Sequence, residues 1–400
     1  MINLELSKAH QEIYQGLLQV SEHMIRPYSR KYDREEHTYP KEMEEVAKLL
    51  GNARHGSGGK KNSRGESTAV VNGSNLSAVT GMEALCWGDA GLFLGMPGSG
   101  LGNAAISAVG TAEQVKKYGG SYAAMCITEP GTGSDSANIS TTAVDKGDHW
   151  VLNGEKIYVT DGERSDTLVV WATLDKSMGK AAIKSFIVEK GTPGCDVTRL
   201  ERKMGIRASD TAAITFADCR IPKDNILGSA EIATDAEGRK KAFGGVMQTF
   251  DNTRPPVAAM AIGVARAALD LTESLLAAEG VTLKFDLKPG NASALQAELY
   301  RMEADWLAAK LLVQKAAWMA DNKQPNSMEA SMCKAKAGRM GNTVTLRCVE
   351  LCQGLGYSEE NLLEKFARDS KILDIFEGTQ QIQQLIVARR ILGKSSSELK

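Results

Sequence analysis

"HWVLNGEKIYVTDG" (149–162) reads as a β-strand, because β-branched and aromatic residues crowd it and turn residues bound it. Three stretches of the same kind follow: "DTLVVWATL" (166–174), "KSFIVEKG" (184–191) and "TAAITFADCRIP" (211–222). The gaps between them are too short for crossover helices, so they predict a compact antiparallel unit from about 122 to 236. Outward from it, both flanks are helical. Upstream, Ser7 caps a segment with Ile13, Leu17, Val20 and Met24 inward, ended by Pro27. "YPKEMEEVAKLLG" (39–51) is a second helix, with Gly51 at its stop. "GTAEQVKKY" (110–118) holds a capping box, Thr111 at N-cap and Gln114 at N3. "HGSGGKKNSRGES" (55–67) is polar and glycine-rich, a loop.

Downstream, Leu295, Leu299, Met302, Trp306, Ala309, Val313 and Ala316 alternate steps of four and three, a seam for packing against other helices. Residues 257–277, 328–351 and 379–393 supply three more amphipathic helices. The expected architecture is an α+β multidomain chain. It has a helical domain (1–121), an antiparallel β-barrel or sandwich (122–236) and a C-terminal four-helix bundle (237–400).

Composition narrows the function. A net charge of −1 gives no electrostatic case for nucleic acid or an anionic membrane surface, and no apolar run reaches membrane-spanning length. The five histidines lie in the first 150 residues without metal-type spacing, and the seven cysteines contain no CxxC, so no metal is expected. Cys348 and Cys352, one helical turn apart, read as packed thiols. The opening "MINLELSKAHQ" lacks a secretory or transit pattern, which predicts a reduced, cytoplasmic protein. "GSGLGN" (98–103) mimics a dinucleotide loop, but no strand precedes it and Asn103 holds the third glycine position; a tight turn or close helix contact is expected.

Two stretches carry the chemistry. In "DIFEGTQQIQ" (374–383) an acidic residue precedes a Gly-Thr step and a periodic segment, with Ile382, Leu385, Ile386, Arg389 and Leu392 on one face and Gly393 at the stop. Thr379 is then the N-cap and Glu377 lies just outside the helix, placed either to favour the helix dipole or to take a proton. "MCITEPGTGSDSANIST" (125–141) falls at the junction of the helical and β units. Its glycines let backbone amides approach an anionic or carbonyl-rich ligand, or else it is a wide turn capped by Thr128 and Ser134. Tyr158 offers a ring for a planar cofactor.

Together with "KMGIRASDT", "CRIPKDNILG", "FDNTRPPVAA" and "RDSKILDIFEGTQQIQQLIVARRILG", these stretches resemble the acyl-CoA dehydrogenase family, over about 1–50 and 110–400. The resemblance implies the same three-part fold, FAD as cofactor, a homotetramer (dimer of dimers), and oxidation of acyl-CoA to trans-2-enoyl-CoA with electron-transfer flavoprotein as acceptor. It implies that Thr128 bonds the flavin pyrimidine edge, with Met125, Ile127 and Gly133 lining the ring. It places Ser134 where FAD phosphate and the CoA arm meet, Tyr158 beside the isoalloxazine and Thr160 toward N5. Asp251, Arg254 and Gly378 fall on the substrate side. Phe285, Glu350 and Gly354 fall where a neighbouring subunit touches FAD, and Thr379 and Gln381 near its adenosine part. Glu377 stands where the family's base removes the α-proton, and Thr253 occupies the second family location for that base without being an acid.

The chain departs from the family pattern in several places. Tyr158 replaces the common Trp and Glu350 the common Gln. Thr282, Asp286 and Ser293 replace an Arg, a Gly and a Gln, with Lys284 as a nearby charge. The usual glycine-rich stretch is missing from 51–75. Competing expectations are an enoyl-CoA reductase or acyl-CoA oxidase of the same chemistry, a flavin monooxygenase, whose members generally lack the "EGT" carboxylate, and a non-catalytic subunit of a hetero-oligomer.

Overall fold

The computed structural model describes residues 5–55, 73–98, 100–232, 236–281, 283–284, 289–396 and 398–399, with backbone alone for 52–55, 236–252 and 289. The glycine-rich 56–67 stretch, Thr282, Phe285 and Asp286 lie outside the described residues, and so does the side chain of Asp251.

Helices come first: α1 (Lys8–Val20), α2 (Ser29–Arg34), α3 (Met43–His55), α4 (Ser74–Gly88), α5 (Ala90–Leu94), α6 (Leu101–Val109) and α7 (Ala112–Tyr118). Local signals set their starts. The Ser7 hydroxyl accepts from the His10 N–H, and Thr111 and Gln114 exchange the two bonds of a capping box. Gly51 does not stop α3, which runs on to His55; one glycine in a helix interior costs only about 1 kcal/mol relative to alanine. Ile13, expected inside, is exposed, whereas Leu17, Val20 and Met24 pack on the core around Ile25, Tyr32 and Met43. The "GSGLGN" glycines are close contacts: a Cβ on Gly100 or Gly102 would lie 2.4 or 2.7 Å from the Ala123 carbonyl oxygen.

The seven strands are β1 (Ala123–Cys126), β2 (Thr142–Asp145), β3 (His149–Thr160), β4 (Thr167–Thr173), β5 (Ile183–Glu189), β6 (Cys195–Leu200) and β7 (Thr211–Pro222). They form one sheet in the order β1-β4-β2-β3-β7-β6, with β5 on β4. Antiparallel pairing dominates, as expected, but β1 runs parallel to β4, with Ala123 opposite Thr167, and β2 meets β4 parallel at one point, so the sheet is mixed. The long loop after β1 and the β2–β3 hairpin together serve as the crossover that a parallel pair requires.

The remaining helices are α8 (Ala236–Ala278), α9 (Ala294–Asp321), α10 (Ser327–Leu351), α11 (Gln353–Tyr357), α12 (Leu363–Ile372) and α13 (Gln380–Leu392). The α9 seam is real: Leu299, Met302, Ala309, Val313 and Ala316 are buried, with Leu295 and Trp306 packed beside them. Ser293 is committed to a cap, accepting from Gln296 N–H at the start of α9. Three features exceed the expectation: α8 is 43 residues long, and α11 and α12 are additional helices, the latter leading into the Glu377 turn. Cys348 and Cys352 are buried free thiols, and burial pushes the Cys348 thiol up to about 12. Among the described residues no helix is long and apolar enough to cross a membrane, and no acidic, His or Cys group could hold a metal ion.

Helices α4 and α8 meet backbone to backbone at Gly263, where an added Cβ would lie 2.2 Å from the Glu83 carbonyl oxygen. A main-chain oxygen cannot rotate aside. Gly263→Ala is therefore expected to destabilise the protein by about 1–3 kcal/mol, read as a lowered melting temperature.

Candidate active site

The chain leaves α12 through Leu373 and enters α13 at Thr379, whose hydroxyl accepts from the Ile382 N–H, while Gly393 closes that helix in the left-handed conformation. Between them, Glu377 (φ 54°) and Gly378 (φ 94°) are both left-handed. For glycine this is free; for glutamate it costs about 1–2 kcal/mol, a strain that persists only where surroundings enforce it. Three hydrogen bonds enforce it here. Gln383 Nε2 donates to the carbonyl oxygens of Glu377 and Gly378, each at 3.2 Å, and Lys334 Nζ donates to the Gly378 oxygen at 2.9 Å.

The Glu377 carboxylate does not turn back to the first amides of α13. It accepts instead from Thr253 Oγ1 on α8 at 3.2 Å, so its place is not explained by the helix dipole. Burial raises its pKa, against the Thr253 hydrogen bond and the positive charges of Lys334 and Arg254. Arg254 is itself buried and donates to Ser331 Oγ on α10 at 3.3 Å. The expected face of α13 is only half covered, with Leu392 exposed; the buried side chains of that helix are Gln380 and Gln383.

A second cluster forms where the 125–141 segment lies against β3. The Glu129 and Thr132 backbones pair with each other at 3.0 Å in both directions, closing the glycine turn. The Glu129 carboxylate points inward and accepts from Thr141 N–H (2.9 Å), Thr141 Oγ1 (2.6 Å) and Lys156 Nζ (2.8 Å). Lys156 also donates to the Ile127 carbonyl at 3.0 Å. Burial raises the pKa of Glu129, but the bonds from Lys156 and Thr141 outweigh it and the net shift is downward. The Ile157 N–H donates to the Thr128 carbonyl at 2.9 Å, so the loop is fastened to β3 at three points.

Opposite β7, β3 shifts register between Lys156 and Val159. Such bulges re-aim side chains, and Tyr158 (φ 56°) is turned out with 62 % of its surface exposed between buried Ile157 and Val159. In the 125–141 loop, Gly131, Gly133 and Ser134 are exposed, and a Cβ on Gly131 would touch nothing within 4 Å. Met125 and Ile127 are half-buried, and the hydroxyls of half-buried Thr128 and Thr160 form no hydrogen bond among the described residues. An open glycine cradle, free hydroxyls and an outward ring fit a flat, carbonyl-rich ligand with a phosphate arm.

The fold thus joins Thr253, Arg254, Lys334, Glu377 and Gly378 in one group, and separately fastens the loop bearing Thr128, Gly133 and Ser134 to the strand bearing Tyr158 and Thr160. Glu350 and Gly354 belong to neither. Sixteen residues separate Lys334 from Glu350 on α10, about 24 Å of helix, and Arg347 pairs with the Glu350 carboxylate. Gln381 is exposed on the first turn of α13. Sequence reasoning missed Lys334, Gln383 and the Glu129–Lys156 pair. The signals existed: Lys334 sits at helical spacing from Ala330, Ala337 and Gly338, and Lys156 shares the inward register of Trp150 and Leu152.

Comparison with known proteins identifies the family. Residues 124–219 match the acyl-CoA dehydrogenase middle domain and 243–392 the acyl-CoA dehydrogenase C-terminal domain. A caffeyl-CoA reductase–Etf complex subunit, CarC of Acetobacterium woodii, is 36 % identical over 80 % of this chain and 84 % of its own. The mitochondrial short-chain specific acyl-CoA dehydrogenase of Mus musculus is 32 % identical over 98 % of this chain and 92 % of its own. The solved structure of butyryl-CoA dehydrogenase from Megasphaera elsdenii superposes with a TM-score of 0.84 at 29 % identity, covering 98 % of this chain and all of that one. With both domain models matched and relatives aligned over nearly its full length, the chain belongs to the acyl-CoA dehydrogenase family of FAD-dependent oxidoreductases.

Proposed function

We propose that the protein oxidises an acyl-CoA thioester to the trans-2-enoyl-CoA, with Glu377 as the base that removes the α-proton. The observation that carries this reading is a carboxylate held in a strained turn, shielded enough for burial to raise its pKa, yet bonded only lightly, to one hydroxyl. A base of raised pKa is better matched to proton abstraction near neutrality than an ordinary glutamate. The α C–H of a thioester remains a weak acid, so negative charge developing on the thioester oxygen needs donors. The Glu377 N–H donates to no backbone carbonyl among the described residues, and it is the donor assigned to that oxygen.

FAD, when bound, supplies a two-electron acceptor for the β-hydrogen as hydride. The residues assigned to hold it are Met125, Ile127, Thr128, Gly133 and Ser134 on the cradle, Tyr158 at the ring and Thr160 toward N5. The Glu129–Lys156 pair keeps the loop and β3 in one piece. Ser134, Asp251, Arg254 and Gly378 are assigned to the CoA thioester. Phe285, Glu350 and Gly354 of a neighbouring subunit, with Thr379 and Gln381, complete the FAD site in a homotetramer. Electron-transfer flavoprotein is the assigned electron acceptor.

The reductase relative favours a second reading, in which the same residues run the reaction backwards and Glu377 returns the proton. An anaerobic titration of the purified protein with a panel of acyl-CoAs tests both. The expected result is bleaching of the visible flavin band by one acyl class. A flavin that resists every acyl-CoA but, once reduced, is reoxidised by an enoyl-CoA establishes the reductase direction. A colourless protein of intact fold overturns the cofactor assignment for this chain and favours a non-catalytic subunit.

A further inference from the structure

A lysine with no exposed surface stands directly behind the Glu377 turn. Lys334 comes from α10, flanked at helical spacing by Ala330, Ala337 and Gly338, all buried, and its ammonium reaches the Gly378 carbonyl oxygen at 2.9 Å. A buried ammonium costs several kcal/mol unless its protons are used and its charge is opposed, so a lysine here solely to hold one carbonyl would be an expensive choice. The charged groups packed around it are Asp374 and Glu377 from the loop and Arg254 from α8; Asp374 is also paired with Arg339 of α10 at 3.3 Å. On the α13 side the buried side chains are neutral, Gln380 and Gln383. The only described anion near Lys334 without such a partner is Glu377.

We infer that Lys334 is a positioning residue with two separable duties: with Gln383 it clamps the left-handed Glu377–Gly378 turn, and its ammonium is the fixed counter-charge that sets the ionisation of the Glu377 carboxylate. This rests on Glu377 being the base. The geometry divides the duties cleanly. Gln383 holds both turn carbonyls without charge, whereas Lys334 holds one of them and brings a cation. Burial drives the Glu377 pKa up, and the lysine draws it back, together with Thr253 and Arg254. Burial in turn lowers the Lys334 pKa to about 8, with Arg254 adding to the fall and Asp374 and Glu377 resisting it. The sign follows. Without the cation the carboxylate is less favoured, its pKa rises, and the base is lost to protonation at a higher pH.

The test is the pH profile of kcat/KM for the FAD-loaded enzyme with its acyl-CoA. Lys334→Gln keeps a donor for the Gly378 carbonyl and removes the charge; it is expected to move the acid limb upward by about one pH unit. Gln383→Leu weakens the clamp and keeps the charge; it is expected to lower kcat by about 10- to 100-fold with the limb in place. An unmoved limb in a folded Lys334→Gln protein overturns the inference. Glu377→Gln separates its failure from that of the base assignment, because an active Glu377→Gln enzyme discards the base itself. The wild-type protein offers an independent reading that needs no lysine variant. In an infrared pH titration, the carboxylate band that Glu377→Gln removes should shift again near pH 8, as Lys334 loses its proton. A band unchanged while Lys334 loses its proton also overturns the counter-charge role.

Discussion

Glu377→Gln is expected to leave a folded, FAD-containing protein whose dehydrogenation rate has fallen by about 10²–10⁴-fold. The substitution changes almost nothing but proton affinity. Glutamine has the same length, and its amide oxygen can accept from Thr253 Oγ1 as the carboxylate does at 3.2 Å. The turn is held by main-chain carbonyls bound to Gln383 and Lys334, and both survive the change. What disappears is an acceptor for the α-proton. Thr253, the side chain bonded to Glu377, is a hydroxyl and cannot serve as a base of comparable strength. Single-turnover bleaching of the flavin by the preferred acyl-CoA measures the step directly, and substrate affinity measured alongside should change little. A variant within tenfold of the wild-type rate would place the base elsewhere.

Lys365→Met is expected to be the most damaging single change outside the site, costing about 3–5 kcal/mol. Lys365 is fully buried between Asp89, at 2.6 Å, and Asp369. Burial works against its charge, but the two carboxylates outweigh that and its pKa is raised. The cluster joins three parts of the molecule. Asp89 also accepts from Ser29 Oγ at 2.5 Å and from the Leu92 N–H at 2.8 Å, in the first helices. Asp369 on α12 accepts from the N–H of Ile206, in the loop between β6 and β7. Ile206 is left-handed (φ 46°), a conformation that a β-branched residue keeps only under constraint, and a Cβ on neighbouring Gly205 would lie 2.5 Å from the Arg368 carbonyl. Methionine fills the space of the lysine but leaves two carboxylates buried without their cation. Thermal melting checks the size of the effect, and adding Asp89→Asn to Lys365→Met should recover part of it. A melting temperature unchanged by Lys365→Met would show that the cluster holds nothing together. Because α12 leads into the Glu377 turn, the same variant is expected to weaken catalysis as well as stability.

Much of this was legible in the sequence because it is decided within a few residues. Ser7, Thr111 and Thr379 cap their helices by bonds spanning three residues, and Gly393 ends α13 because it lacks a Cβ. The α9 seam and the short strands from 149 to 222 follow from periodicities of 3.6 and 2. Glu377 stood out only together with the other quoted stretches, whose resemblance to the family puts it at the base position; its place ahead of the Thr379 cap left the helix dipole as an equal explanation. Tertiary structure decided the rest. That β1 lies parallel to β4 depends on where the chain returns after some forty residues. That Lys156 and Lys334 are buried, and which carboxylates face them, depends on helices and strands brought together from distant parts of the chain. A sequence pattern records whether a side chain can be buried. It does not record what stands opposite, and for a charged group the partner, through its contribution against desolvation, determines both whether burial is tolerable and what the group can do.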